Sequence, residues 1–133
     1  FRGRLVGVED AVRRAASAPG PVCLLDMGDN VGGGGPADGT ALAHELRRQG
    51  VGPAFVCLFD PPAVAAATEA GVGGTVALSV GGRTDDRHGA PLLGLFVVRA
   101  LHDGLFEETE PRHGGLKRFD QGPTAVVEGG GLT

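Results

Sequence analysis

What most constrains this chain is that glycine and proline cut its apolar stretches into short pieces. The 133 residues hold 25 glycines and nine prolines, and the glycines follow no period. Aliphatic runs lie between them, hydrophobic residues reach 41% and the net charge is only −4, so the chain can bury enough surface to fold rather than stay disordered. Its length suits one domain, residues 1–133, with one modest core. No apolar piece approaches the roughly 20 residues of a bilayer span, so no membrane contact is expected. An acidic balance without Tyr or Trp offers neither a basic face nor stacking platforms, which excludes a nucleic-acid partner. Two cysteines, Cys23 and Cys57, are not a disulfide framework. Phe1-Arg2-Gly3-Arg4 shows no leader core, and the expected location is cytoplasmic. The opening without Met, and the close at residues 128–133 just after an apolar run, read as a piece of a longer polypeptide.

Residues 8–18 place Val8, Ala11, Val12 and Ala15 on one stripe, the spacing of an amphipathic helix that Pro19-Gly20 stops. Residues 21–25 (PVCLL) are a continuous apolar run, as in a strand buried on both faces. Residues 37–49 predict a second helix, with Asp38 or Thr40 as its cap and Gly50 just past its end. Residues 53–59 (PAFVCLF) repeat the buried-strand pattern, and Asp60-Pro61-Pro62 starts a helix over 63–70. Residues 75–80 (TVALSV) form a third strand. The expected fold class is therefore α/β: a short, mostly parallel sheet flanked by helices over residues 8–80. An antiparallel β-hairpin region follows, with a strand over 92–101, a turn at Asp103-Gly104, a return strand beginning at Leu105-Phe106, a charged loop over 107–120 and a strand over 124–127.

The most informative segment is the glycine-rich turn from Asp26 to Thr40, at the end of a predicted strand where α/β sheets bind ligands. Consecutive N–H groups there can form an anion-binding concavity. A phosphate loop nevertheless fails, because no Lys follows the glycines and three carboxylates, Asp26, Asp29 and Asp38, ring the turn. At about 4 Å each repels an anion by roughly 4 kcal/mol at an effective dielectric near 20. Such a turn suits a metal-bound substrate, an amine or a partner's cations. In the alternative, Asp29 and Asn30 only form an Asx-turn and Asp38 is only a cap. Asp60 could face the same crevice, although Asp-Pro-Pro reads first as a helix cap. Cys23 and Cys57 read as buried small hydrophobes in mid-strand. The histidines, His44, His88, His102 and His113, are scattered; His88 with Asp85 and Asp86 could hold a surface metal but reads first as a polar loop.

The order of landmarks resembles the C-terminal domain of the microcystinase C (MlrC) family of zinc-dependent peptidases. The resemblance runs over residues 8–133 and is carried by a D-N-x-G-G-G-x-x-D-x-T signature, met by Asp29, Asn30, Gly32, Gly33, Gly34, Gly35, Asp38 and Thr40. A D-P-x-A-V element at Asp60, Pro61, Ala63 and Val64 accompanies it. The chain departs from the pattern in having four glycines before Pro36 where three are expected, a shift of one position in the loop. The resemblance implies a two-domain amide hydrolase whose zinc is held by a His/Asp/Glu set in an N-terminal catalytic domain of the same polypeptide, acting on peptide-like substrates such as linear microcystin products. This chain would complete the substrate cleft and be inactive alone, with no catalytic or metal-binding residue of its own. Asp29, Asn30, Gly32, Gly33, Gly34, Gly35, Asp38, Thr40 and Asp60 are the expected substrate-binding or supporting residues. Two other readings stay open: an autonomous module holding a small anionic ligand in the glycine turn, and a structural or oligomerisation domain, whose exposed sheet edge would favour homo-oligomers.

Overall fold

A computed structural model describes residues 5–133, the side chains of residues 112 and 113 excepted. Phe1 to Arg4, read above for a leader, and the side chain of His113 lie outside the described parts. The elements are helices α1 (Val8–Ser17), α2 (Ala41–Gln49) and α3 (Pro61–Ala70), then strands β1 (Thr75–Val80), β2 (Leu92–His102), β3 (Leu105–Arg112), β4 (Leu116–Asp120) and β5 (Thr124–Glu128). Helix α1 buries Val12 and packs on α2, which buries Ala43 and Leu46. Gly50 ends α2 in the left-handed conformation (φ 65°), where a side chain would be strained. Asp60 caps α3 through Ala63 N at 3.0 Å, with the prolines filling the first turn.

The sheets are antiparallel, which corrects the parallel expectation. Strand β2 is central, pairing with β1 (Ala77 opposite Leu95) and with β5 (Leu101 opposite Ala125), and a bulge interrupts the second ladder between Val98 and Ala100. Strands β3 and β4 form a separate two-stranded ribbon. The two apolar runs read as parallel strands, residues 21–25 and 53–59, belong to no ladder. Their only parallel pairing among the described residues is a bridge between Ala54 and Leu132, where Thr133 N donates to Ala54 O (2.9 Å) and Val56 N to Thr133 O (2.8 Å). After β5 the chain turns back onto this segment. A strand needs a neighbouring main chain, and apolarity alone does not provide one.

Burial in these runs also differs from the expectation. Ala54 and Val56 pack against the core while Phe55 and Phe59 are 70% and 65% exposed, an alternation of one covered and one open face. Cys23 and Cys57 are exposed, not buried. The core gathers Val12, Ala43, Leu46, Leu78, Leu92, Phe96 and Leu132 between the helices and one sheet face.

The charged stretch 107–120, expected as a loop, is most of the β3–β4 ribbon. Phe106 and Phe119 stack with ring centroids 5.1 Å apart, and Glu107 faces Arg118 at 3.5 Å. The Asp103-Gly104 turn does not return the chain onto β2; it sends it out into the ribbon. Gly104 (φ 79°) lies so close to Gly122 O that an added Cβ would stand 1.9 Å from it, so the strands entering and leaving the ribbon touch through glycine main chain.

Candidate functional site

The glycine-rich turn is held from within by carboxylates. Asp26 accepts from Gly28 N (2.9 Å) and Asp29 N (3.2 Å). Asp29 accepts from Ala37 N (2.7 Å) and Gly39 N (2.6 Å), closing the turn at its base. Ala37 sits there in the left-handed region (φ 62°), fixed on its carbonyl side by Phe59 N at 2.7 Å. Asn30 forms an Asx-turn by accepting from Gly32 N at 2.9 Å. Its carbonyl takes Gly33 N and Gly35 N, and Val31 O takes Gly34 N. The N–H groups that an anion would need are thus engaged by the chain's own oxygens. Gly35 is at the tightest point, where a Cβ would lie 2.7 Å from the Asp29 carbonyl carbon. The rim, Asn30 to Gly34, is exposed.

The loop of residues 81–91 docks against this turn. Buried Asp38 accepts from Arg83 N (2.8 Å) and Thr84 N (2.9 Å). Burial raises its pKa, but these two donors outweigh that and hold the carboxyl below its ordinary 3.8. Asp60, also buried, adds Gly81 N (2.7 Å) and Arg83 Nε (3.0 Å) to its cap bond. Arg83 further donates to Ser79 O. Thr40, fully buried, makes no cap bond; its hydroxyl donates to Ala90 O at 2.6 Å, and His44 Nε2 meets the same carbonyl at 2.8 Å. The capping expected of Asp38 or Thr40 falls instead to a carbonyl: His88 O accepts from Thr40 N (2.8 Å) and Ala41 N (3.1 Å), supplying acceptors to the start of α2.

His88 therefore stands at the junction of the two loops. Its Nδ1 faces both oxygens of Asp85 at 2.9 and 3.0 Å, and its ring edge lies against Gly28, where a Cβ would come within 3.8 Å of Nε2. The side chain is 25% exposed. The hydrogen bond that His88 donates to the Asp85 carboxylate, and that carboxylate's charge, lift the imidazole above its ordinary 6.5, with smaller contributions from Asp29 and Asp26. The main-chain N–H of Arg87, and then the imidazole itself, hold Asp85 below 3.8.

Asp29, Gly35, Asp38 and Thr40 are thus brought together as the frame of the turn, Asp60 anchors the adjoining loop, and Asn30 and Gly32 to Gly34 form the outward rim. The role of loop 81–91 as the second half of this unit was not legible from composition. Glycines at its two ends marked it: Gly81, Gly82 and Gly89 all approach other main chain closely, and a Cβ on Gly89 would lie 2.4 Å from Thr40 Oγ1. Among the described residues no group of three or more His, Cys, Asp or Glu side chains could hold a metal. Around the turn, both oxygens of Asp29 and Asp60 and Oδ2 of Asp38 accept from N–H groups, and His88 Nδ1 is paired with Asp85.

Residues 24–133 match the family described as MlrC C-terminus. Microcystinase C of Sphingomonas sp. is 39% identical over 88 residues, which make up 65% of this chain and 17% of that protein. A crystal structure of a protein from Mesorhizobium sp. BNC1, proposed to be a metallopeptidase, superposes with a TM-score of 0.84 at 31% identity and covers 99% of this chain and 26% of that one. The chain therefore spans between 17% and 26% of the length of these relatives.

Proposed function

Since the chain belongs to the MlrC C-terminus family, we propose that it is the C-terminal domain of an MlrC-like zinc metallopeptidase or amide hydrolase and completes the substrate cleft of an N-terminal catalytic domain. In this reading the zinc and its ligands lie in that other domain, peptide-like molecules are the substrates, and the present domain does not turn over alone. Asn30 and the glycines 32–34 contact the substrate or the catalytic domain. Asp29, Gly35, Asp38, Thr40 and Asp60 hold that rim in place.

The observation that supports this most is the internal hydrogen bonding of the turn. A run of four glycines would ordinarily sample many conformations, yet three carboxylates and a hydroxyl fix its base and its neighbouring loop. A rim fixed before binding loses little conformational freedom when a ligand or a second domain meets it. The same bonding weighs against a stand-alone anion-binding module, whose ligand would have to displace Asp29, Asn30 O or Val31 O from the N–H groups.

The test is hydrolysis of linearised microcystin and short peptides, with and without zinc, by the 133-residue chain and by the longer polypeptide. The chain alone should be inactive, and zinc-dependent turnover by it would refute the reading. In the longer polypeptide, Asp29→Ala should lower kcat/KM on the order of 100-fold through misplacement of the rim, whereas Asp86→Ala should leave it unchanged. Equal, small effects would leave the turn a structural feature only.

A further inference from the structure

We infer that the segments 21–27 and 53–59 together form the face on which the remainder of a longer MlrC-type polypeptide docks, an inference that rests on the two-domain reading above. Neither segment belongs to a ladder. Among the described residues, no main-chain hydrogen bond joins residues 21–27 to any other segment, and in 53–59 only Val56 N and Phe59 N donate to main chain. Their side chains are those of a sheet interior, not of a surface. Leu24, Ala54 and Val56 pack on the core, while Leu25 (78%), Met27 (61%), Phe55 and Phe59 project outward. Beside the first segment an open groove of about 730 Å³ runs along α1, walled by Leu5, Val6, Val8, Ala15, Val22 and Cys23.

Unpaired backbone and exposed apolar side chains are each what an added strand or a packed domain removes from water. The occupant follows from the relatives. The Mesorhizobium chain carries this fold over 99% of the present residues, yet the fold is only 26% of it. The larger part of that polypeptide is therefore tethered to the same domain at high effective concentration, which favours it over a second copy. Docking there would also act on the candidate site, because Phe59 N holds Ala37 O at the base of the glycine turn and residues 26–28 open directly into it.

The two cysteines are built-in reporters, since both are exposed and both lie in these segments. The experiment is N-ethylmaleimide labelling at low protein concentration with peptide-resolved mass spectrometry, comparing the 133-residue chain with the longer polypeptide. Cys23 and Cys57 should react at least about tenfold more slowly in the longer polypeptide, and Phe55→Ser there should speed labelling of Cys57. Equal rates in the two unsubstituted proteins overturn the inference, and this comparison needs no variant to fold. A gene that encodes nothing ahead of Phe1 overturns it as well. So does protection that appears in the short chain as its concentration rises and matches that of the longer one, because the occupant is then a second copy. The readout needs no turnover: protection without peptide hydrolysis supports the docking face and removes the enzymatic reading, and hydrolysis without protection does the reverse.

Discussion

Removing the Asp60 carboxylate should unfasten the loop of residues 81–91 from the start of α3. Its two oxygens accept from Ala63 N at 3.0 Å, Gly81 N at 2.7 Å and Arg83 Nε at 3.0 Å, and the residue is 5% exposed. Asp60→Ala loses a helix cap, about 1 kcal/mol. It strands the N–H of buried Gly81, about 1–3 kcal/mol. The pairing with Arg83 adds less than about 1 kcal/mol, because that side chain is 42% exposed and water screens it. These contributions share one carboxylate and do not simply add, so the expected loss is about 2–4 kcal/mol. With no Tyr or Trp in the chain, urea unfolding is best followed by far-UV circular dichroism. At an m-value of about 2 kcal/mol/M the midpoint should fall by roughly 1–2 M. Asp60→Asn keeps one oxygen for the cap and should fall between parent and Asp60→Ala. An Asp60→Ala protein within about 0.5 kcal/mol of the parent, the range of an ordinary surface change, would refute the anchoring reasoning, as would an Asn variant no better than the Ala one.

The same assay separates the glycines of the turn. Gly35→Ala drives a Cβ to 2.7 Å from main chain and should cost about 1–3 kcal/mol, whereas Gly33→Ala meets nothing within 4 Å and should stay within about 1 kcal/mol; the reverse order would show the turn is not packed as described. His88 should titrate above 6.5 by NMR, and Asp85→Asn should bring it down. A histidine whose folded pKa is raised gives stability that is fully present below its unfolded pKa and is lost as pH rises through the folded value. Loop stability should therefore decline on the alkaline side of 6.5, and His88→Gln should flatten that decline; a parent His88 titrating at or below 6.5 would contradict it. Asp29→Asn puts an amide donor against one of the N–H groups of Ala37 and Gly39 and should lose about 1–3 kcal/mol, a result that urea midpoints at pH 7 would check.

The three helices and the strands β1, β2 and β5 were legible because their signals are local. Apolar period, Pro61-Pro62 after Asp60, and Gly50 and Gly71 at helix ends all act within a few residues. Residues 21–25 and 53–59 read as strands because Val, Leu and Phe favour strand backbone, but whether a neighbour pairs with them is not a local property. The β3–β4 ribbon is legible only at its start, Leu105-Phe106, because the charges of 107–120 mask a symmetric pattern, in which Phe106 and Phe119 stand on either side of Gly114-Gly115 and meet across the hairpin. At the candidate site the D-N-x-G signature marked the turn correctly as a special backbone. The partners of Asp38 and Thr40 were invisible because they come from residues 83, 84 and 90, far along the chain.

Helix α2 begins on a carbonyl contributed by His88, while the hydroxyl of Thr40 reaches an acceptor 50 positions downstream. A first turn fastened by so distant a segment cannot be secured by local sequence while the chain emerges from the ribosome. Closure of that long loop is the entropic step, and contacts of this separation are slow to form. The first turn of α2 should accordingly be among the last regions to acquire its native shape and among the first to lose it, so that exchange protection of Thr40 and Ala41 amides reports the integrity of the whole intervening stretch from α2 to β1 rather than of the helix they open.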